Sequence, residues 1–226
     1  MALGKVPVKL VSWEDIVEWS RELSKIIRSS GYKPDVIVAV ARGGYVPARL
    51  LCDFLGVENL LSIQSQHWTE AAKVAERALI KFRYSVDLSG MNVLLVDDIV
   101  DTGESLMLAK NFIINEWRPN DVKIAALQWI SPVAKLKPDF YLIEVKEWYW
   151  FQYPWTRLED TCQFIRRMLS EEGKSKREWT LDEIINKFKE LYGIDVGMNY
   201  FRDAVESLLS EGVLVEHGGK YLIKSL

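Results

Sequence analysis

The residues best suited to chemistry lie at positions 93–105, where acids and hydroxyls follow a short apolar run. Four apolar residues precede the paired acids Asp97 and Asp98. A third acid, Asp101, is followed by Thr-Gly and by a helical pattern that starts near Ser105. A buried strand, an acidic turn with a glycine and a helix start are typical of an open α/β sheet that presents a ligand site.

This turn offers two kinds of binding group. Its backbone N–H groups and the hydroxyls of Thr102 and Ser105 can hold a phosphate at the helix N-terminus, where the dipole favours negative charge. Asp97 and Asp98 would repel that phosphate, so they indicate a second ligand. A sugar diol and a divalent metal ion are the two candidates. A solvated acidic turn without a ligand is the alternative.

The segment resembles the signature of the type I phosphoribosyltransferases, which is an apolar strand, two acids, two variable residues and an acid-Thr-Gly turn. All three acids and the Thr-Gly are present. The resemblance implies that Asp97 and Asp98 bind the ribose hydroxyls of 5-phosphoribosyl diphosphate (PRPP), directly or through Mg²⁺. It implies that Asp101 is the catalytic general base, next to a purine nitrogen. The residues implied to contact PRPP or its ribose 5-phosphate are Asp97, Asp98, Asp101, Thr102, Gly103, Glu104 and Ser105.

A second loop matches the diphosphate loop of the same family and follows the apolar run 36–40. Its residues are Ala41, Arg42, Gly43 and Gly44. The glycines let backbone N–H groups approach oxygens without a Cβ, and the arginine offers a cationic fork.

The flexible loop of the family is expected between residues 65 and 82. Lys73 and Arg77 are four positions apart there and are candidates to reach the diphosphate when the loop closes. A solvated basic face is the alternative for both.

The base site is expected in the aromatic segment 148–155, which resembles the base-binding end of purine phosphoribosyltransferases. Trp150 takes the stacking position and Phe151 the position whose backbone meets the ring edge. Ser131 stands where the 6-oxopurine members carry a lysine. Because a serine can accept a hydrogen bond from an exocyclic amine, this departure favours adenine. Lys135 or Lys137 could take the role of that lysine.

The elements that must position these groups form an α/β domain over residues 1–155. About five strands in a mainly parallel sheet, flanked by helices, are expected. The charged, Ala-rich stretch 69–83 favours a helix, with a mobile segment as the alternative. The strands are predicted at residues 36–40, 60–64, 93–96, 122–130 and 140–145.

Residues 156–226 are predicted to form a second domain of three helices and a small hairpin. Thr180 is expected to cap one helix, with Glu183 at the third position. The arrangement resembles a winged helix. However, residues 174–226 contain eight Lys or Arg and nine Asp or Glu, which argues against DNA binding. A packing or lid role is preferred.

Composition permits an enzyme and excludes a disordered chain, because 49% of the 226 residues are hydrophobic, 27% are charged and the net charge is −3. No apolar run approaches membrane-spanning length, so we expect a cytoplasmic protein without membrane or nucleic-acid partners. The resemblance implies a homodimeric, Mg²⁺-dependent purine salvage enzyme that makes AMP and diphosphate from adenine and PRPP. Hypoxanthine, guanine or xanthine as the base, or a nucleotide-sensing regulator with the same fold, are the alternatives.

Overall fold

The computed structural model describes residues 6–69, 76–172 and 176–224. Contacts divide the chain into two compact units, residues 14–148 and residues 1–13 together with 149–226. The elements in chain order are β1 (Val8–Leu10), α1 (Trp13–Ser29), β2 (Val36–Ala41), α2 (Tyr45–Leu55), β3 (Asn59–Thr69), β4 (Glu76–Lys81), β5 (Asn92–Val100), α3 (Glu104–Phe112) with a π-helical turn (Ile113–Trp117), β6 (Asp121–Ile130), β7 (Phe140–Val145), β8 (Trp150–Gln152), α4 (Arg157–Glu172), β9 (Glu178–Trp179), α5 (Leu181–Tyr192), α6 (Met198–Ser210), β10 (Leu214–His217) and β11 (Lys220–Ile223).

The unit of residues 14–148 is built on a six-stranded sheet with the order β4-β3-β2-β5-β6-β7. Five of these strands are parallel, and β4 pairs antiparallel with β3 at the edge. Every residue of β2 is buried, as expected for a parallel strand covered on both faces. Val38 and Leu95 pack with residues of α3, and strand alternation places Ile37 and Leu94 on the opposite face, also fully buried. The predicted α/β class is confirmed.

The stretch predicted as a helix at residues 69–83 is partly wrong. Residues 76–81 form β4, and residues 70–75 lie outside the described ranges. Ile80 is buried in the sheet core opposite Ser65. Pairing with the edge of β3 supplies backbone hydrogen bonds and apolar contacts that outweigh the helix propensity of an Ala-rich, charged sequence.

The unit of residues 1–13 and 149–226 contains α4, α5, α6 and two small sheets. The hairpin β10–β11 is joined by β9, and the helices bury Ile165, Phe188 and Phe201. The predicted cap is confirmed, because Thr180 Oγ1 accepts a hydrogen bond from Glu183 N and Glu183 Oε2 accepts one from Thr180 N.

The amino-terminal strand belongs to this unit because β1 pairs in parallel with β8, Val8 facing Trp150. The contacts therefore change unit at residues 148–149, whereas the sequence suggests a boundary at 155–156. Among the described residues, no helix is both long and apolar enough to cross a membrane.

Candidate active site

The acidic segment forms the strand, turn and helix start that its sequence predicts. β5 ends at Val100, and α3 begins at Glu104 after Gly103, whose φ of 84° lies in the left-handed region. The turn lines a cavity of about 250 Å³, and the backbone N–H groups at this helix start suit an anion. The lining residues are Asp97, Ile99, Val100, Asp101, Thr102, Gly103, Glu104, Ser105 and Leu106.

The paired acids are held by the backbone at the end of β5. Asp98 N donates to Asp97 Oδ1 at 3.0 Å, and Ile99 N donates to Asp98 Oδ1 at 2.8 Å. Burial, and then repulsion from the Asp98 carboxyl, raise the pKa of Asp97 well above its ordinary range. A positive group placed between the two carboxyls would relieve this repulsion.

The predicted diphosphate loop lies directly against this pair. A Cβ added to Gly43 would sit 2.4 Å from Asp98 Oδ2. A Cβ on Gly44 would sit 2.4 Å from Val96 O and 2.7 Å from Val40 O. β2 and β5 are neighbours in the sheet, so both loops leave the same edge. A larger residue would therefore press on the Asp98 side chain at position 43 and on backbone at position 44.

The other two residues of the predicted diphosphate loop are Ala41, the last residue of β2, and the exposed Arg42. Asp101 lies at the other end of the acidic turn, on the wall of the cavity. Partial burial raises its pKa. A carboxyl with a raised pKa is better matched to accepting a proton near neutral pH.

Ser131 follows β6 at the same edge of the sheet, because β6 is paired with β5 and Trp129 faces Val100. Its backbone N donates to Val145 O at 3.1 Å. The two neighbouring lysines have other contacts. Lys135 Nζ donates to Glu104 Oε1 at 2.7 Å, and Lys137 Nζ lies 5.3 Å from the ring centre of Trp129.

The contact between Lys135 and Glu104 was not anticipated from the sequence. Nothing in the local pattern indicates it, because the two residues are 31 positions apart and the turn after β6 brings them together.

The other four predicted site residues belong to the second unit or have side chains outside the described part of the structure. Trp150 and Phe151 belong to the other unit. The Trp150 ring is edge-on to Phe164 at 5.5 Å, and the Phe151 ring is 6.2 Å from Tyr149. Lys73 lies outside the described residues, and Arg77 lies in β4, opposite Trp68, with its side chain also outside the description.

The Asp97 and Asp98 carboxylates suit a hard divalent cation that takes its remaining ligands from a substrate. In the described part of the chain, no group of three or more His, Cys, Asp or Glu side chains is arranged to hold a metal. Mg²⁺ characteristically uses one or two carboxylates together with substrate oxygens and water. Asp97 and Asp98 would be those carboxylates.

The fold and the two loops are those expected of an α/β protein that binds a phosphorylated sugar, and a comparison with known families identifies the class. Residues 10–159 match the family model of the phosphoribosyl transferase domain. The chain therefore belongs to this family and is a phosphoribosyltransferase.

The three relatives described next align with about two-thirds to three-quarters of this chain and with at least nine-tenths of their own length. A xanthine-guanine phosphoribosyltransferase of Desulfotalea psychrophila is 27% identical over 167 residues, 73% of this chain and 94% of that protein. A purine phosphoribosyltransferase structure from Pyrococcus horikoshii is 30% identical with a TM-score of 0.57, covering 66% of this chain and 93% of that one. A Neisseria gonorrhoeae protein solved with bound ppGpp is 25% identical with a TM-score of 0.60, covering 67% and 90%.

Proposed function

We propose that this phosphoribosyltransferase serves purine salvage, transferring the 5-phosphoribosyl group of PRPP to a free 6-oxopurine and releasing diphosphate. The observation that carries the proposal is the position of Gly43, where an added Cβ would sit 2.4 Å from Asp98 Oδ2, next to the cavity of the 101–105 turn. PRPP has a diphosphate, a ribose diol and a 5-phosphate in that order. The glycine loop, the acid pair and the helix start follow the same order.

In the proposed reaction, the bond between ribose C1 and the diphosphate oxygen breaks, and a bond from a purine nitrogen to C1 forms. Positive charge develops on the ribose, and the neighbouring carboxylates of Asp97 and Asp98 favour it. Asp101 accepts the proton that the purine nitrogen loses. Mg²⁺ held by Asp97 and Asp98 would neutralise the leaving diphosphate. Turnover is accordingly expected to be lost in EDTA and restored by added Mg²⁺.

The base in this proposal is inferred from the names of the relatives and not from Ser131. Adenine was favoured because Ser131 replaces a lysine, but a hydroxyl can donate as well as accept a hydrogen bond. Ser131 is therefore compatible with O6 of guanine, hypoxanthine or xanthine. The names of the curated relatives, which are xanthine-guanine phosphoribosyltransferases, support these bases over adenine.

The remaining base contacts in the proposal are Trp150, which would stack on the purine, and Phe151, whose backbone would meet the ring edge. Lys73 and Arg77 would approach the diphosphate. The test of the whole assignment is the specificity constant of the wild-type chain for adenine, hypoxanthine, guanine and xanthine with PRPP. A leading 6-oxopurine supports the proposal. If adenine has the highest specificity constant, the inference of adenine from Ser131 stands. If no base is turned over, the enzyme assignment is contradicted.

A nucleotide-sensing regulator is the second candidate, because one relative was solved with bound ppGpp and ppGpp carries diphosphate groups on a ribose, as PRPP does. The nearly balanced numbers of positive and negative residues in 174–226 argue against a DNA-binding tail. Specific binding of DNA by the intact chain, together with absent turnover, would favour the regulator.

The active form in this proposal is a homodimer without nucleic-acid partners. Exposed aromatic rings on the unit of residues 14–148 support an apolar contact, since Phe82 is 80% exposed and lines one cavity with Tyr45 and Tyr84. Light scattering on the purified chain measures its oligomeric state directly. A monomer at active concentrations would contradict it.

A further inference from the structure

The turn between β6 and β7 packs on the 101–105 turn at three points. Lys135 N donates to Thr102 O at 2.9 Å, and Lys135 Nζ donates to Glu104 Oε1 at 2.7 Å. Leu136 lies so close to Gly103 that a Cβ there would sit 2.8 Å from the Leu136 Cβ. One backbone bond, one ion pair and one close apolar contact therefore fix the two turns together.

Glu104 is an unexpected residue at a site for a phosphate. It is the first residue of α3 and lines the same cavity as Thr102, Gly103 and Ser105. A carboxylate is favourable at a helix N-terminus for the same reason that a phosphate is. An entering dianion would therefore compete with the Glu104 carboxylate and be repelled by it.

The Lys135–Glu104 pair adds little to folding. The Lys135 side chain is 65% exposed and that of Glu104 is 32% exposed, and ion pairs of this kind contribute little to stability. The pair has a larger effect on a charged ligand, because Glu104 lines the cavity and Lys135, which does not line it, neutralises the Glu104 carboxylate. The pair thus affects the charge of the cavity more than the stability of the fold.

We propose that Lys135 is a positioning residue for PRPP, acting through Glu104. The lysine neutralises the Glu104 carboxylate and draws it toward the β6–β7 turn, which lessens the repulsion between this carboxylate and a 5-phosphate at the start of α3. Lys135 does not contact the reacting atoms. This inference rests on the proposed function, because it requires PRPP as the ligand of the cavity.

The test measures KM for PRPP, kcat and PRPP affinity by calorimetry for the wild type, Lys135→Ala, Lys135→Arg and the double variant Glu104→Gln/Lys135→Ala. Lys135→Ala should raise KM for PRPP about five- to tenfold, the scale for a partly exposed charge near an anionic ligand, with little change in kcat or Tm. Lys135→Arg should restore binding. The double variant should recover most of the loss, because a neutral side chain at position 104 does not repel the phosphate.

Salt provides a readout that a purely structural role would not move. The loss in Lys135→Ala should shrink at 1 M salt, where the Debye length is about 3 Å. Lys123→Ala is the matched control, since this lysine makes another partly exposed ion pair in the same unit, with Asp139 at 3.3 Å, and its KM for PRPP should match the wild type.

Two results would overturn the inference while leaving the proposed function intact. One is an unchanged KM for PRPP in Lys135→Ala, and the other is a double variant as impaired as the single one. A wild-type chain that neither binds nor turns over PRPP would overturn both.

Discussion

Gly43→Ala tests whether the diphosphate loop and the acid pair form one site. The added Cβ would lie 2.4 Å from Asp98 Oδ2 and 2.6 Å from Oδ1 and Cγ, well inside contact distance. The φ of Gly43 is outside the left-handed region, so alanine is strained only by this contact. Either the loop or the Asp98 carboxyl must move.

The size of the effect follows from what can move. Inserting a methyl into a packed site costs about 1–3 kcal/mol, and a side chain yields more easily than backbone, so we expect the lower end. That corresponds to a fall in Tm of about 3 °C in a chain of this size. A displaced Asp98 loses a charged hydrogen bond to PRPP of about 1.5–3 kcal/mol, so PRPP affinity should fall about ten- to hundredfold.

Two other glycines serve as controls, with thermal unfolding and PRPP calorimetry as the assays. Gly44→Ala meets the backbone oxygens of Val96 and Val40, which cannot turn away, and should destabilise by about 3 kcal/mol or more. Gly56→Ala meets nothing within 4 Å at a φ of 73° and should cost about 1 kcal/mol without affecting PRPP. Wild-type PRPP affinity and Tm in Gly43→Ala would refute the close approach to Asp98.

Three further predictions concern chemistry, base choice and the second unit. Asp101→Asn should lower kcat about a hundredfold while calorimetry still detects PRPP. The wild type should lose activity as pH falls through the raised pKa of Asp101, because the base works deprotonated. The variant should lack that acid limb, and unchanged turnover would exclude a catalytic Asp101. Ser131→Lys should raise the specificity constant for guanine relative to adenine, since an ammonium can donate to O6 but cannot accept a hydrogen bond from the adenine amine. An unchanged ratio would show that Ser131 does not contact the base. Removing residues 173–226 should expose Ile165 and Met168 of α4, both fully buried, at about 1.5–3 kcal/mol each. Aggregation and dye binding measure this, and a soluble, cooperatively folding fragment would contradict it.

The parts of the molecule that were predictable have local signals. The apolar run before Asp97 gives β5, the Thr-Gly turn gives the start of α3, and Thr180 with Glu183 gives the start of α5. In each case the residues that determine the structure are within a few positions of one another.

The parts that were missed depend on distant partners. Residues 76–81 become β4 because the edge of β3 is available, and β1 exists because it pairs with β8. The Lys135–Glu104 contact likewise depends on how the β6–β7 turn folds back. Trp150 illustrates the same limit, since its resemblance to a stacking residue says nothing of its packing against Phe164. The Trp150 side chain also donates a hydrogen bond to Asp160. Together with a bond from the Thr156 side chain, it partly offsets the rise that burial causes in the pKa of Asp160.

The pairing of β1 with β8 sets an order of events during synthesis. Residues 8–10 leave the ribosome well before their partners at 150–152, and at 5–20 residues per second the interval is roughly seven to thirty seconds. Residues 14–148 are synthesised during that interval and can begin to fold before residues 150–152 are made, while residues 8–10 have no strand partner. The phosphoribosyltransferase unit is thus an insertion within the other unit in the order of translation. A nascent chain stalled near residue 145 should therefore leave residues 6–12 open to protease, and a chain stalled after residue 226 should protect them.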